Sequence, residues 1–221
     1  MLDLGIGAGR TTEVFATVVG SYVGLDYSQR MIEAARRRVG DRDAALLDVA
    51  DARDLSRWHG RGFDVVLFSF NGIDCVDEVD RVRILGEIRR VIAEDGIFAF
   101  STHSLGALPL SGRVGRPSLR DPLRSMLRSL HRAARIAALN RALDLDAARV
   151  RGWARIRDGA HDFSVVLTYV DPVYQVAQLD AAGFYVSDVL DAAGRPLDRL
   201  DPGPGPHLFY LCRPHAGRPS P

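Results

Sequence analysis

Apolar runs alternate with helix-period segments along the first hundred residues. The runs have the length of buried strands, and the segments between them repeat apolar residues at helical spacing. Strands alternating with helices in this way predict a parallel sheet covered by helices on both faces. The predicted strands are Met1–Leu4, Tyr22–Leu25, Ala44–Leu47, Asp64–Ser69 and Ile97–Ser101, and the predicted helices are about Thr11–Val18, Gln29–Val39 and Val79–Ala93.

The third predicted helix has an apolar face made of Val82, Leu85 and Ile88, and Gly96 follows its end as a turn. Ser28 is the predicted N-cap of the second helix. The fifth strand delivers Thr102-His103-Ser104 beyond its carboxyl end.

The second half of the chain departs from this alternation with a helical insertion at about 105–157. Its helix, about Leu119–Ala138, separates an apolar side from a row of arginines. That row is interpreted as a solvated surface, as a site for a carboxylate or phosphate of the substrate, or as a contact with an anionic membrane or RNA. The apolar side consists of Leu119, Leu123, Met126, Leu127, Leu130 and Ala134.

After the insertion, the pattern predicts a strand at Phe163–Val170 and a helix at about Val173–Ala182 that begins after Asp171-Pro172. Tyr185–Leu190 and Leu208–Cys212 are the last predicted strands. The whole of 1–213 is predicted to be a single domain, and 214–221 a disordered tail.

Composition narrows the class of protein. With 221 residues, of which 47% are hydrophobic, the chain can form one domain with a full core. The formal net charge of +1 disfavours nucleic acid as a partner. All basic residues other than histidine are arginines, which favours a bacterial origin in a GC-rich genome. Cys75 and Cys212 match neither a metal site nor a disulfide framework, and no transmembrane segment or signal peptide is visible, so a cytoplasmic location is expected.

The first loop carries the strongest chemical signal. Gly5, Gly7 and Gly9 form G-x-G-x-G, whereas a dinucleotide fingerprint reads G-x-G-x-x-G and would place its third glycine at Arg10. Asp3 precedes the loop, where a carboxylate suits an ammonium group and would repel a pyrophosphate. Asp26 ends the next strand, where it can accept both hydroxyls of a ribose. The expected ligand is a nucleoside with a cationic tail and no phosphates.

These residues resemble the motifs of the class I S-adenosylmethionine-dependent methyltransferases. Asp3–Gly9 is similar to the first motif of that family, and Val23–Ser28 with Met31 is similar to its second strand and ribose-binding acid. Leu47–Ala52 and Phe63–Asn71 resemble the later strands that face the cofactor. The resemblance implies S-adenosylmethionine as cofactor, bound by Asp3, Gly5, Gly7, Gly9, Asp26, Tyr27, Met31, Asp51, Ala52 and Asn71.

The resemblance also implies an α/β fold. It is a Rossmann-like, doubly wound, mostly parallel sheet of seven strands that ends in an antiparallel hairpin, with the insertion as a helical lid. In the family a helix or two precedes the first strand, so an N-terminal segment is expected to be missing here.

His103 and Asp74 are the candidate catalytic residues, because they follow the fifth and fourth strands at the edge where such sheets bind ligands. His103 is the candidate general base. The alternatives are structural: a loop histidine, a helix cap at Asp74, and a turn at Asn71-Gly72. No metal is expected.

The leading hypothesis is methyl transfer to a small molecule, at a hydroxyl of a sugar or secondary metabolite. The sequence Ser69-Phe70-Asn71-Gly72 stands where enzymes that methylate the exocyclic amines of bases carry Asn/Asp-Pro-Pro-Tyr, which disfavours nucleic-acid bases. The alternative is a methyltransferase fold that binds cofactor without turnover and acts as an interaction or regulatory module. Oligomeric state is left open.

Overall fold

A computed structural model describes residues 1–40, 45–107, 122–203 and 205–216. Within this part of the chain, ten strands and six helices are present, together with four short 3-10 turns. The strands are β1 (Leu2–Leu4), β2 (Tyr22–Asp26), β3 (Ala45–Val49), β4 (Phe63–Phe68), β5 (Ile92–Ser104), β6 (Trp153–Ile156), β7 (Leu167–Val170), β8 (Phe184–Leu190), β9 (Pro196–Leu197) and β10 (His207–Pro214). The helices are α1 (Arg10–Phe15), α2 (Gln29–Val39), α3 (Glu78–Val91), α4 (Pro122–Leu139), α5 (Leu145–Arg151) and α6 (Pro172–Ala181).

All ten strands belong to one sheet, whose main path runs β3-β2-β1-β4-β5-β10-β8-β9. The pairs from β3 to β5 are parallel, and β10 is antiparallel to both β5 and β8. The predicted mostly parallel, Rossmann-like sheet with an antiparallel hairpin at its end is therefore confirmed. The predicted strand at Phe163–Val170 is present as the shorter β7, and two short strands, β6 and β9, were not predicted.

The core lies on both faces of the sheet. One cluster packs α3 and α6 against the sheet through residues such as Leu85, Ile88 and Leu179. A second cluster packs α2 against the other face through Ile32 and Ala35. Helices thus cover both faces, as a doubly wound sheet requires.

Strand β5 is longer than predicted, because α3 passes directly into it at Val91/Ile92. Gly96 therefore lies inside the strand and does not end a helix. At its other end β5 extends to Ser104, so His103 is not in a loop beyond the strand. It is paired within the sheet, opposite Tyr169 of β7 and His207 of β10.

Two further expectations need correction. Leu85 and Ile88 are buried as predicted, but Val82 is 54% exposed, and Arg81 and Ile84 belong to the buried face of α3 instead of it. The predicted tail does not begin at 214, because Pro214 ends β10 and the backbone N–H of His215 donates to the carbonyl of Gly183 at 2.8 Å.

The insertion contains α4, α5 and β6, and β6 pairs antiparallel with β7. Of its predicted apolar side, Leu119 lies outside the described residues, as does the side chain of Leu123. Within the part that the structure describes, none of the helices is both long enough and apolar enough to cross a membrane.

Candidate active site

The glycine loop between β1 and α1 has the backbone conformation that its sequence predicts. Gly5, Gly7 and Gly9 all have positive φ, at 66°, 53° and 81°, a region that side chains with a Cβ rarely adopt. A Cβ at Gly7 would meet nothing within 4 Å, so open space adjoins the loop at this point. The backbone at Gly7 can therefore approach a ligand closely.

The other two glycines are adapted to packing. A Cβ at Gly5 would lie 3.0 Å from the ring of Phe68, and one at Gly9 would lie 3.0 Å from Cβ of Ala35 in α2. Gly9 is buried and lets α1 and α2 pack closely. A contact of Gly9 with the cofactor stays a prediction.

Asp26 joins the glycine loop to the start of α2. Its Oδ2 accepts the backbone N–H of Gly7 at 2.8 Å, and its Oδ1 accepts that of Ser28 at 2.9 Å. Each carboxylate oxygen can accept a second hydrogen bond, so both remain able to receive ribose hydroxyls. Tyr27 and Met31, which follow Asp26, are 81% and 44% exposed at the same edge of the sheet. The open space at Gly7, the buried carboxylate and these two exposed side chains fit an adenosine group.

Asp3 is placed differently from the prediction. It is fully buried, and the Tyr22 hydroxyl donates to its Oδ2 at 2.6 Å, while the hydroxyls of Tyr22 and Thr12 are 2.9 Å apart. Burial raises the pKa of Asp3 to about 6, against the opposing effect of the hydroxyls of Thr11 and Tyr22. Because alternate residues of a strand face opposite sides, Asp3 points into the layer beneath α1. The expected direct contact with an ammonium group is therefore corrected, and Asp3 supports the loop from below.

Asp51 and Ala52 follow β3, at the same edge as Asp26. The guanidinium of Arg53 contacts both carboxylate oxygens of Asp51, at 2.6 to 3.0 Å, and also reaches Asp80 at 2.9 Å. Hydrogen bonding from Arg53 lowers the pKa of Asp51. The contact of Asp51 with an adenine amino group stays a prediction, and Arg53 is a partner that the sequence analysis did not include.

His103 and Asp74 come into direct contact. Nδ1 of His103 lies 2.7 Å from Oδ2 of Asp74, and the backbone N–H of His103 donates to the same oxygen at 2.7 Å. Because an ionised carboxylate only accepts hydrogen bonds, Nδ1 carries the proton and Nε2 is an acceptor, which Nδ2 of Asn71 approaches at 3.3 Å. This is the tautomer that a general base requires.

Asp74 is held by two more donors from other elements. Its Oδ1 accepts the Thr102 hydroxyl at 2.6 Å and the Arg81 guanidinium at 2.5 Å. Arg81 is itself fully buried, and it donates to Oε1 of Gln175 in α6 at 2.6 Å. Four hydrogen bonds thus fill the acceptor positions of a carboxylate that has no contact with solvent.

Asn71 adjoins the histidine rather than the glycine loop. Its Nδ2 lies 3.3 Å from Nε2 of His103 and 2.9 Å from Nδ1 of His207, and its backbone N–H donates to the Ser101 hydroxyl at 2.9 Å. Its buried Oδ1 has no hydrogen-bond partner among the described residues. The position has φ of 56°, so the turn predicted at Asn71-Gly72 is present as well. A role for Asn71 toward the cofactor stays a prediction.

Sequence reasoning missed several members of this site. His207 and Tyr169 flank His103, with ring centroids 4.8 Å and 4.6 Å from it, but they reach it only through strand pairing far along the chain. Arg81 could have been found, because it shares the helical spacing of the buried residues Ile84, Leu85 and Ile88.

One aromatic contact joins the loops that border the site. The Arg10 guanidinium lies 3.5 Å above the ring of Phe70, which links the start of α1 to the segment after β4. Both segments leave the carboxyl edge of neighbouring strands. Within the described residues, no group of three or more metal-binding side chains is placed to hold an ion.

Comparison with known proteins agrees with this geometry. Residues 1–96 match the family model described as "Methyltransferase domain". Over 113 residues the chain is 33% identical to a demethylmenaquinone methyltransferase of Clavibacter sepedonicus, and this match covers 51% of the chain but only 44% of that protein. The chain thus spans less than half the length of this curated relative.

Solved structures share the fold at low sequence identity. The CcbJ methyltransferase from Streptomyces caelestis is 14% identical with a TM-score of 0.61, over 97% of this chain and 83% of that one. An S-adenosylmethionine-dependent methyltransferase from Mesorhizobium loti is 18% identical with a TM-score of 0.61, over 96% and 89%. Together with the glycine loop and the carboxylate of Asp26 that accepts from it, these matches identify residues 1–96 as similar to a methyltransferase domain, and the whole described chain shares the fold of S-adenosylmethionine-dependent methyltransferases.

Proposed function

We propose that this protein methylates a hydroxyl group of a small-molecule acceptor and that His103 is the general base. The observation that carries the proposal is the contact between Asp74 and Nδ1 of His103, which leaves Nε2 able to take a proton at the carboxyl edge of the sheet. Hydroxyls need such a base because they are weak nucleophiles while protonated.

The cofactor would be held by the backbone at Gly7, the carboxylate of Asp26 and the exposed side chains of Tyr27 and Met31. When bound, S-adenosylmethionine supplies a methyl group that is electrophilic because it is carried on a sulfonium. The chain's own contribution is to hold the acceptor oxygen in line with that methyl group, and orientation of this kind contributes on the order of 7–11 kcal/mol to catalysis.

Each residue around His103 has a distinct task in this proposal. Nε2 of His103 takes the acceptor proton, and the carboxylate of Asp74 stabilises the imidazolium that results. Nδ2 of Asn71 lies 3.3 Å from Nε2 of His103 and 2.9 Å from Nδ1 of His207, so Asn71 fixes the position of the two imidazole rings. Asp74 contacts neither the acceptor nor the cofactor, so it is a positioning residue.

The acceptor is proposed to be a sugar or a secondary metabolite, as the sequence analysis favoured. What supports this choice is the histidine base, since a nucleophile without an exchangeable proton would not need one. The protein is further proposed to act in a bacterial cytoplasm. The two cysteines in the described residues support this location, because both are free thiols.

The test is the variant His103→Gln, assayed by release of S-adenosylhomocysteine over a panel of sugars, phenols and hydroxylated metabolites. We expect kcat to fall by about 10²- to 10⁴-fold, the usual contribution of a general base, while calorimetric binding of S-adenosylhomocysteine is unchanged. His59→Gln is the matched control, because His59 contacts Glu87 away from this site. An unchanged kcat in His103→Gln would refute the role of His103.

The same panel tests the alternative that the protein binds cofactor without turnover. In that case S-adenosylhomocysteine would bind to the wild-type protein, and no acceptor would be methylated. Absence of cofactor binding to the folded protein would contradict both functions.

A further inference from the structure

Helix α4 presents an apolar stripe to solvent. Met126, Leu127 and Leu130 are 47%, 62% and 53% exposed, and Ala134 is exposed beside them. We call these four residues the α4 stripe. At 100° per residue they fall on one side of the helix, so they form a continuous surface. Exposed leucines that are contiguous on one helix face indicate a binding surface.

Another side of α4 attaches the helix to the protein. Ile136 is buried, and Asn140, just after the helix, exchanges two hydrogen bonds of 2.9 Å with the backbone of Arg157. Arg132 donates to the carbonyl of Asp158 at 3.2 Å. Ile136 lies well over 90° around the helix from the centre of the α4 stripe. These contacts leave the α4 stripe facing away from the rest of the protein.

The charged side chains of α4 all have one sign. The sequence of α4 contains four arginines and no acidic residue. Arg124, Arg128 and Arg135 are exposed and lie on the polar side of the helix, more than about 90° from the centre of the α4 stripe, and the Arg135 guanidinium also lies 4.4 Å from the centre of the Phe163 ring. Leucine and methionine on one side and arginines on the other are the composition of helices that lie in the interface of an anionic bilayer. There the apolar side enters the acyl boundary and the guanidinium groups meet lipid phosphates.

We propose that α4 docks this protein on the surface of an anionic lipid bilayer. A second copy of the chain fits less well, because two paired α4 helices would bring together the like charges of both copies, and neither helix has an acidic residue to pair with them. RNA fits less well too, because α4 has no phenylalanine, tyrosine or tryptophan on which bases could stack. An anionic bilayer offers an acyl region to the α4 stripe and phosphate groups to the arginines.

The test is co-sedimentation of the full chain with vesicles of mixed phosphatidylglycerol and phosphatidylcholine, compared with vesicles of phosphatidylcholine alone. We expect binding to the mixed vesicles only, and weaker binding at higher salt. Leu127→Asp and Leu130→Asp should each lower the affinity by about tenfold or more, and Arg128→Gln by about fivefold.

Matched controls carry the same substitution at exposed valines outside α4. Val18→Asp and Val150→Asp, at residues 73% and 91% exposed, should bind like the wild type. Circular dichroism of every variant checks that it is folded. Equal binding to neutral vesicles, or no loss in Leu127→Asp and Leu130→Asp, would overturn the proposal. The proposal would also be overturned if the wild-type protein forms a dimer that Leu127→Asp disrupts. It would be overturned equally if α4 binds RNA and does not bind vesicles.

Discussion

His103 depends for its orientation on a carboxylate that has no contact with solvent. Asp74 is fully buried, and the guanidinium of Arg81 beside it is fully buried too. A charge in such an environment is tolerated only when it is paired and hydrogen-bonded, so Arg81 is what allows Asp74 to remain there as an acceptor. At the scale of residues, the candidate base is thus the outermost member of a chain from Gln175 through Arg81 and Asp74 to His103.

Replacing Arg81 tests this chain. Arg81→Met leaves the Asp74 carboxylate uncompensated, so we expect the free energy of unfolding to fall by about 3–5 kcal/mol. Loss of the fixed imidazole orientation should lower kcat by about tenfold to a hundredfold per folded molecule, with unchanged affinity for S-adenosylhomocysteine. Denaturant titration and single-turnover kinetics measure the two effects.

Arg89→Met is the control, because Arg89 is also a buried arginine of α3 but pairs with Glu94. It should lose stability without losing kcat per folded molecule. If Arg81→Met does not fold, Gln175→Met removes the second partner of Arg81 and should lower kcat by a smaller factor. Full kcat in folded Arg81→Met would contradict the positioning role.

At the scale of elements, one glycine of the loop between β1 and α1 lies beside the space for a ligand, and another packs against a helix. Gly7 adjoins open space, whereas Gly9 touches α2 at Ala35. The two positions share a left-handed backbone, so their substitutions carry a similar conformational cost, and only the surroundings differ.

We therefore expect Gly7→Ala and Gly9→Ala to have opposite profiles. Gly7→Ala should cost about 1–2 kcal/mol of stability and at least tenfold in cofactor affinity, because the methyl group projects into the space for the ligand. Gly9→Ala should add about 1–3 kcal/mol of overpacking to the same backbone cost, with a smaller change in affinity. Calorimetry and denaturant titration separate the effects, and equal losses in both variants would count against this division.

The buried face of α3 gives another test at this scale. Ile84 is 1% exposed, whereas Val82 is 54% exposed. Ile84→Ala should lower the free energy of unfolding by about 2–5 kcal/mol, and Val82→Ala by less than about 0.5 kcal/mol. A thermal or denaturant melt of both variants measures the contrast. Similar losses of stability in the two variants would support the predicted apolar face that contains Val82.

At the scale of the whole molecule, stability should depend on pH through Asp3. Its pKa is raised to about 6 from the ordinary value of 3.8, because the folded protein removes it from water. Between these two values the folded state binds more protons than the unfolded state. The free energy of unfolding attributable to this group therefore falls as pH rises through that range.

Asp3→Asn removes this dependence. A shift of this size corresponds to about 3 kcal/mol, so wild-type stability should lose up to that amount between about pH 4 and pH 6, and the variant should not. Chemical denaturation across this pH range measures the difference. Asp188→Asn, at an exposed position of β8, should keep the wild-type profile. If the free energy of unfolding has the same pH dependence in the wild type and in Asp3→Asn, Asp3 is not the group responsible.

Local sequence patterns were sufficient to predict much of the fold. Helix α2 has the predicted bounds, and α6 begins after the Asp171 cap, because helical spacing, capping and glycine termination act over neighbouring residues. The junction of α3 with β5 was misjudged because both are apolar there. Gly96, which looked like a helix end, lies inside β5 where the pairing with β4 is irregular.

For the site, the sequence by itself determined the glycine loop and placed Asp26, Asp74 and His103 at one edge of the sheet, because each follows a strand whose carboxyl end must meet the others there. The contact of Asp74 with His103 appears only in the tertiary structure. Only the tertiary structure decided that Asp3 points inward, that Arg81 neutralises Asp74 and that His207 and Tyr169 flank His103. Burial and contacts between distant strands arise from packing the whole chain, and no local spacing encodes them.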